Sequence, residues 1–427
     1  MVNKYKIERW IFMKISSEKK KEKNFLLRNN VTLFFAVFVV LGIFISKETP
    51  YNMMNALVQS FTGYSLLVLS LLIPVIAGMG FNFSIVIGGI AGQLGVIMAV
   101  NWGLSGILGF LTAALFATLF ATLFGILTGM LLNKTRGYEM IASWFVGYLG
   151  NGIYMFIVLA LMGSVIPITS ADLLLGGGVG LKNTINLKGT LLHSVDGLLQ
   201  VQFFLLLIIV GILFLGFTIY HLMKKDAHFD KKTGYTRITL FTVVILMSSL
   251  IMYADVLPNE IKQLKNIEFP VVTGMLICAV AVFSLMITRS RIGQDFTQLS
   301  SKQQNSIDSE GQISKVRITA ITISTIVAAW GQIILLQNTG NFSTYGSHLG
   351  IGVFAVSALV VGGATISKAT VRNALLGIII LQGFNIISIP AVEQLFPSNV
   401  SEILRVILIN GAILYTFIRS RRDNQIG

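Results

Sequence analysis

Residues 104–132 read LSGILGFLTAALFATLFATLFGILTGMLL, 29 positions without one Asp, Glu, Lys, Arg or His. About 20 predominantly apolar residues carry a helix across the hydrocarbon core of a bilayer, so this run is read as a membrane span. The same criterion, applied outward along the chain, gives further spans at 31–46, 63–80, 84–101, 139–162, 201–222, 238–256, 270–288, 318–337, 351–367, 374–392 and 402–418, twelve in all. The segments 84–101 and 351–367 are short and glycine-rich, and either suits a half-helix or a re-entrant element. Composition agrees: of 427 residues 54% are hydrophobic and 12% charged, against about 25% charged in a soluble domain, and the mean hydropathy is +0.79. An ordinary soluble enzyme and a disordered protein are excluded. The expected fold is an all-α polytopic membrane protein of 10–12 helices.

Twelve spans put both termini on one side, and the charges name the side. With the termini inside, the inner segments hold 26 Lys and Arg and the outer ones 5, namely Lys47, Lys182, Lys188, Lys262 and Lys265. That asymmetry follows the positive-inside rule. It accounts for most of the net charge of +14 without nucleic acid. The expected placement is therefore a multi-pass protein of the plasma membrane with both termini cytoplasmic. Residues 1–30, with Lys19, Lys20, Lys21 and Lys23, read as a disordered basic tail. One transmembrane domain follows over 31–420, and 421–427 form a short cytoplasmic tail.

Three connections are long. The outer segment 163–200 carries Gly176, Gly177, Gly178 and Gly180. No Lys-Ser/Thr follows, so a flexible surface loop is expected there and not a phosphate cradle. The segment 223–237 reads as a basic turn against lipid headgroups. In 289–317, Ile292, Phe296 and Leu299 fall on one face of a short helix. That pattern fits a docking surface for a cytoplasmic partner and equally a plain interfacial turn.

Catalytic signatures are missing. The sequence has no P-loop motif, and its four histidines (His193, His221, His228 and His348) show no metal-ligand spacing. Cys278, the single cysteine, reads as a small buried hydrophobe. Glu139, Asp255 and Arg405 sit near span ends and can snorkel to an interface. A path through the membrane would then be built from neutral groups. Asn82, Ser84, Gln93, Asn101 and Trp102 surround the third span; Trp144, Asn151 and Tyr154 lie in the fifth; Gln332 and Gln337 in the ninth; Gln382 and Asn385 in the eleventh. Amides with aromatic rings suit an uncharged, hydroxyl-rich solute, while interhelical hydrogen bonding uses the same residue types. The candidate path residues are Gln93, Trp144, Asn151 and Asn385. Gly88-Gly89 and Gly362-Gly363 recur in spans that cross in opposite senses, a faint echo of inverted repeats.

Residues 345–378, running through Val360-Val361-Gly362-Gly363-Ala364 to Gly377, resemble the signature of ribose-type ABC importer permeases. Residues 77–100, with Gly88-Gly89-Ile90 and Gly95, resemble that family's Gly-Gly-Ile-Asp-Leu-Ser-Val-Gly element. Residues 287–311 resemble its cytoplasmic loop. The likeness covers most of 31–160 and 268–420. It departs at Ala91 and Gln93, where the family has Asp and Ser, and in 163–262, an enlarged outer loop with an inserted helix hairpin. The resemblance implies a permease subunit for a sugar or nucleoside, paired with a second permease subunit. A cytoplasmic ABC ATPase would bind around Gly293, Asp295, Phe296 and Leu299, and an extracellular solute-binding protein would deliver solute. The chain itself would be no enzyme and need no cofactor or metal. Two other classes remain open on the sequence: an ion-gradient-driven secondary transporter and a non-transporting membrane scaffold.

Overall fold

The computed structural model describes residues 30–224, 231–254, 256–289, 310–394 and, with gaps, 400–418. The basic tail, Asp255 and the four positions Gly293, Asp295, Phe296 and Leu299 lie outside the described residues.

Helices follow the apolar runs. In chain order they are α1 (Asn30–Ile45), α2 (Pro50–Ser70), α3 (Leu72–Ile76), α4 (Val86–Asn101), α5 (Gly106–Lys134), α6 (Glu139–Phe156), α7 (Phe203–Met223), α8 (Lys231–Tyr253), α9 (Asn259–Lys262), α10 (Val271–Arg289), α11 (Glu310–Thr339), α12 (Ile351–Val361) and α13 (Val371–Glu393). A 3₁₀ turn at Phe83–Ile85 leads into α4, and a π turn at Ile157–Leu161 extends α6. Among the described residues nine helices are long and apolar enough to cross a membrane, and Asn30–Ile45 and Ile351–Val361 are shorter apolar helices. The chain is an all-α polytopic membrane protein.

Local chemistry explains the ends. Thr49 caps α2, accepting from the Asn52 N–H at 3.2 Å, with Pro50 in the first turn. Pro74 has no N–H for the Ser70 carbonyl and its ring crowds that carbonyl, which separates α3 from α2. Thr370 and Asn373 form a reciprocal capping box at the start of α13.

The segment 83–101 is a continuous helix and not a half-helix. Its glycines are packing surfaces. A Cβ on Gly88 would stand 2.7 Å from the Thr325 carbonyl, one on Gly92 2.6 Å from the Ala329 carbonyl, and one on Gly95 2.3 Å from the Ala113 carbonyl. Bare backbone lets α4 lie directly against α11 and α5, and α4 becomes the buried centre of the bundle. By contrast α12 is short, 11 residues or about 16 Å, roughly half a span.

The segment 163–200 is an ordered cap, which corrects the expectation of a flexible loop. Leu173, Leu181, Leu187, Leu191 and Val195 are buried. Strand β1 (Thr184–Asn186) pairs antiparallel with β4 (Asn341–Ser343), and β2 (Gln200–Gln202) with β3 (Glu268–Pro270). The Asn101 side chain at the end of α4 accepts from the Thr169 N–H at 2.8 Å. Gly176, Gly177 and Gly178 are only the exposed tip of a tight turn in which the Leu175 N–H reaches the Gly180 carbonyl.

Helices α7 and α8 form a hairpin and pack on each other. Their described apolar contact with the bundle is a small cluster near the cap, where Phe204 and Met252 meet Val58 and Met54. Two further expectations are corrected. Cys278 is exposed, because it shares the outward face of α10 with Met275 and Val282. Glu139 does not snorkel alone: its carboxylate pairs with the Arg317 guanidinium, tying the start of α6 to α11, with side chains 13% and 4% exposed.

Candidate functional site

Trp144, Tyr148 and Asn151 recur along one face of α6 at i, i+4 and i+7, with Gly147 among them. This face looks across at the 3₁₀ turn before α4 and at the first turn of α12. The Phe83 N–H, donating to Ser143 Oγ at 3.0 Å, holds the turn against α6. Between these elements runs a cleft of about 180 Å³, lined by Phe83, Trp144, Tyr148, Asn151, Leu349 and Gly352 among others. The Phe83 and Trp144 rings meet edge to face at 4.8 Å, and Trp144 keeps 38% of its surface exposed.

The cleft ends at Asn151. His348 Nε2 donates to Asn151 Oδ1 at 2.7 Å, and this bond assigns the Nε2–H tautomer and leaves Nδ1 as an acceptor. The histidine sits over the backbone of Gly89, where a Cβ would come within 3.2 Å of its own Cβ. Tyr154, one helical turn beyond Asn151, packs edge-on against the imidazole at 4.9 Å. Gln93, one turn beyond Gly89 on α4, donates from Nε2 to the Ser343 carbonyl at 3.5 Å, and Gln332 of α11 donates to the Ser347 carbonyl at 3.4 Å. Both distances are long for a hydrogen bond.

Gln93, Gln332 and His348 are fully buried and Tyr154 nearly so. Among the described residues Gln93 Oε1, Gln332 Oε1, His348 Nδ1 and the Tyr154 hydroxyl have no hydrogen-bond partner. A buried polar atom left unpaired costs about 1–3 kcal/mol, and native structures keep few of them. Asn385 Oδ1 on α13 is unpaired as well; what sets these four apart is that they gather around one turn of α4.

Of the four path residues expected from sequence, Trp144 and Asn151 line the cleft, and Gln93 is buried on α4, bonded to the Ser343 carbonyl of the segment that leads to His348. Asn385 is elsewhere. Its Nδ2 donates to Gln382 Oε1 at 3.4 Å on α13, a helix that packs on α1, α2 and α12. Other amides prove to be fasteners. Asn82 caps the 3₁₀ turn, Asn101 holds the cap, and Gln337 accepts from the Val195 N–H at 3.0 Å while donating to Asp196 Oδ1 at 3.0 Å. Thr273 Oγ1 also donates to Asp196. Burial holds the Asp196 carboxyl above its ordinary range, opposed by these hydrogen bonds and by His193. His348 is the residue that sequence reasoning missed. A lone histidine before a short glycine-rich span gave no spacing to read; its place at the start of a half-length helix was the available signal.

No family model, curated protein or solved structure matches this chain.

Proposed function

We propose that the chain is the membrane-spanning permease subunit of an ATP-binding-cassette importer, passing an uncharged polar solute of the sugar or nucleoside kind. The observation that carries the reading is the neutral polar cluster near the middle of the bundle, buried behind an aromatic-lined cleft. No Asp, Glu, Lys or Arg falls within 83–101, 140–161 or 318–361, so every group offered to a passing solute there is neutral. Amides and hydroxyls serve a solute that trades hydrogen bonds, and Trp144, Tyr148 and Phe83 offer ring faces and edges to its apolar side.

In this reading energy comes from a separate cytoplasmic ATPase docking at Gly293–Leu299, in keeping with a sequence that contains no P-loop motif. A solute-binding protein delivers solute to the cap, and a second permease subunit completes the complex. Movement of the docked ATPases switches access between the two sides. The charge asymmetry supports cytoplasmic termini, with the cap on the outer side.

The test is solute uptake in vesicles holding the chain, its ATPase and its binding protein. Loss of one buried hydrogen-bond partner costs about 1–3 kcal/mol, so Gln93→Ala slows uptake by about one to two orders of magnitude. Unchanged uptake in Gln93→Ala, Trp144→Ala and Asn151→Ala, with normal expression, places the passage elsewhere.

A further inference from the structure

The cleft and the unpaired polar atoms do not touch. Asn151 lines the cleft; Gln93, Gln332 and His348 lie behind it with no exposed surface. The His348–Asn151 bond joins the cleft-lining Asn151 to one of the unpaired groups, and Tyr154 borders a second, apolar cavity with Ile87, Ile90 and Leu94. We infer that this bond is a latch, and that Gln93, Gln332, His348 Nδ1 and the Tyr154 hydroxyl are the solute's hydrogen-bonding partners once it opens.

Two features of the fold suit a latch. His348 belongs to the turn between β4 and α12 and not to a through-going helix. Its neighbour Ser347 accepts the Ser343 N–H at 2.9 Å, so 343–348 holds itself together as a unit. Gln93 and Gln332 reach the same turn through long bonds to the Ser343 and Ser347 carbonyls. The turn is also bonded to the cap, Thr344 Oγ1 donating to the Lys182 carbonyl at 2.8 Å and the Tyr345 hydroxyl to the Leu181 carbonyl at 2.6 Å, so its withdrawal together with 181–183 and α12 frees both amides at once.

The unpaired atoms also state what can bind. Two amide oxygens and one imidazole nitrogen accept, and one phenol both donates and accepts. A ligand meeting them carries several O–H or N–H donors. An anion would face acceptors, and a cation would find no carboxylate within 83–101, 140–161 or 318–361. The class is therefore neutral and donor-rich. That second half rests on the transport reading; the latch does not.

The latch is tested on the purified full chain in detergent, in a Cys278→Ser, Gln332→Cys background. The probe is methyl methanethiosulfonate, a small neutral reagent, read as a mass shift of the intact protein. His348→Leu removes the donor to Asn151 and raises the labelling rate at position 332 by about tenfold or more, the effect of one lost hydrogen bond. His348→Gln, whose amide can still donate to Asn151, labels as slowly as the background. Equal rates in all three proteins, or a His348→Gln rate matching His348→Leu, overturn the latch. If His348→Leu is not monodisperse, Asn151→Leu breaks the same bond from the other side and is judged by the same comparison. For the binding half, Tyr154→Phe removes an oxygen with no intramolecular partner to lose. It does not lower the melting temperature, since the buried hydroxyl has no partner among the described residues, and it raises KM for uptake about fivefold or more; an unchanged KM removes Tyr154 from the site. Labelling needs neither ATP nor solute, so failure of wild-type uptake sinks the transport reading and leaves the latch result standing.

Discussion

Substituting Glu139 by Gln isolates the cost of a buried charge. In the native chain the Glu139 carboxylate faces the Arg317 guanidinium, whose side chain keeps only 4% of its surface, and Arg317 Nε has no partner among the described residues. Glutamine fits the same space and can still accept one N–H, but the guanidinium then stays charged with no counter-charge. Breaking a buried pair from one side costs about 3–5 kcal/mol; the retained hydrogen bond places Glu139→Gln near 3, and Glu139→Met near the upper end. Replacing both residues by Met removes the desolvated charges together, so the double variant should be at least about 2 kcal/mol more stable than Glu139→Met alone. The assay is equilibrium unfolding of the purified chain by SDS in mixed micelles, followed by tryptophan fluorescence. A Glu139→Gln protein within about 1 kcal/mol of wild type would mean that solvent or lipid headgroups screen the pair, and the reasoning would fail.

Gly377→Ala tests helix contact: the new Cβ would stand 1.8 Å from the Ala358 carbonyl, so α12 and α13 must separate and no monodisperse protein is expected on gel filtration. Gly383→Ala on the same helix meets only Val39 side-chain atoms at 3.5 Å or more and should stabilise by about 0.5–1 kcal/mol; equal behaviour of the two would refute the contact. Burial raises the Asp196 pKa above its ordinary 3.8, so the folded state holds its proton more tightly and stability falls as pH rises from near that value through the raised one. Asp196→Asn keeps an acceptor for Thr273 and Gln337, and thermal melts should show a flatter pH profile with no loss at pH 7; a steeper profile would contradict this. Ser301→Cys in a Cys278→Ser background should resist an impermeant maleimide applied to intact cells, and labelling from outside would invert the proposed topology.

The spans were legible because crossing a bilayer demands long apolar runs, and 104–132 or 203–223 can do little else. Glycine was harder to read. In 84–101 it looked like a break, yet a helix surrounded by Ala113, Thr325 and Ala329 needs bare backbone to come close. The cap was hidden because its core is assembled from single leucines between polar residues and from strands of three residues, too short for a period to show. Glu139 and Arg317 are 178 positions apart, so their pairing is a tertiary fact that local reading cannot reach. Within the site, Trp144 and Asn151 were legible as an aromatic and an amide in one span; that they share a helix face with Tyr148 shows only in the structure. Asn385 belongs to the same residue class, but its helix packs on other partners.

The central claim is that transport through this chain is driven by ATP hydrolysed on another chain. The direct measurement is accumulation of a radiolabelled neutral sugar or nucleoside in proteoliposomes, with ATPase and binding protein present or omitted and with ion gradients imposed or collapsed. The account predicts uptake that requires ATP and both partners, persists without any gradient, and falls about tenfold or more in Gln93→Ala. Uptake driven by a proton or sodium gradient in vesicles holding this chain alone would contradict it.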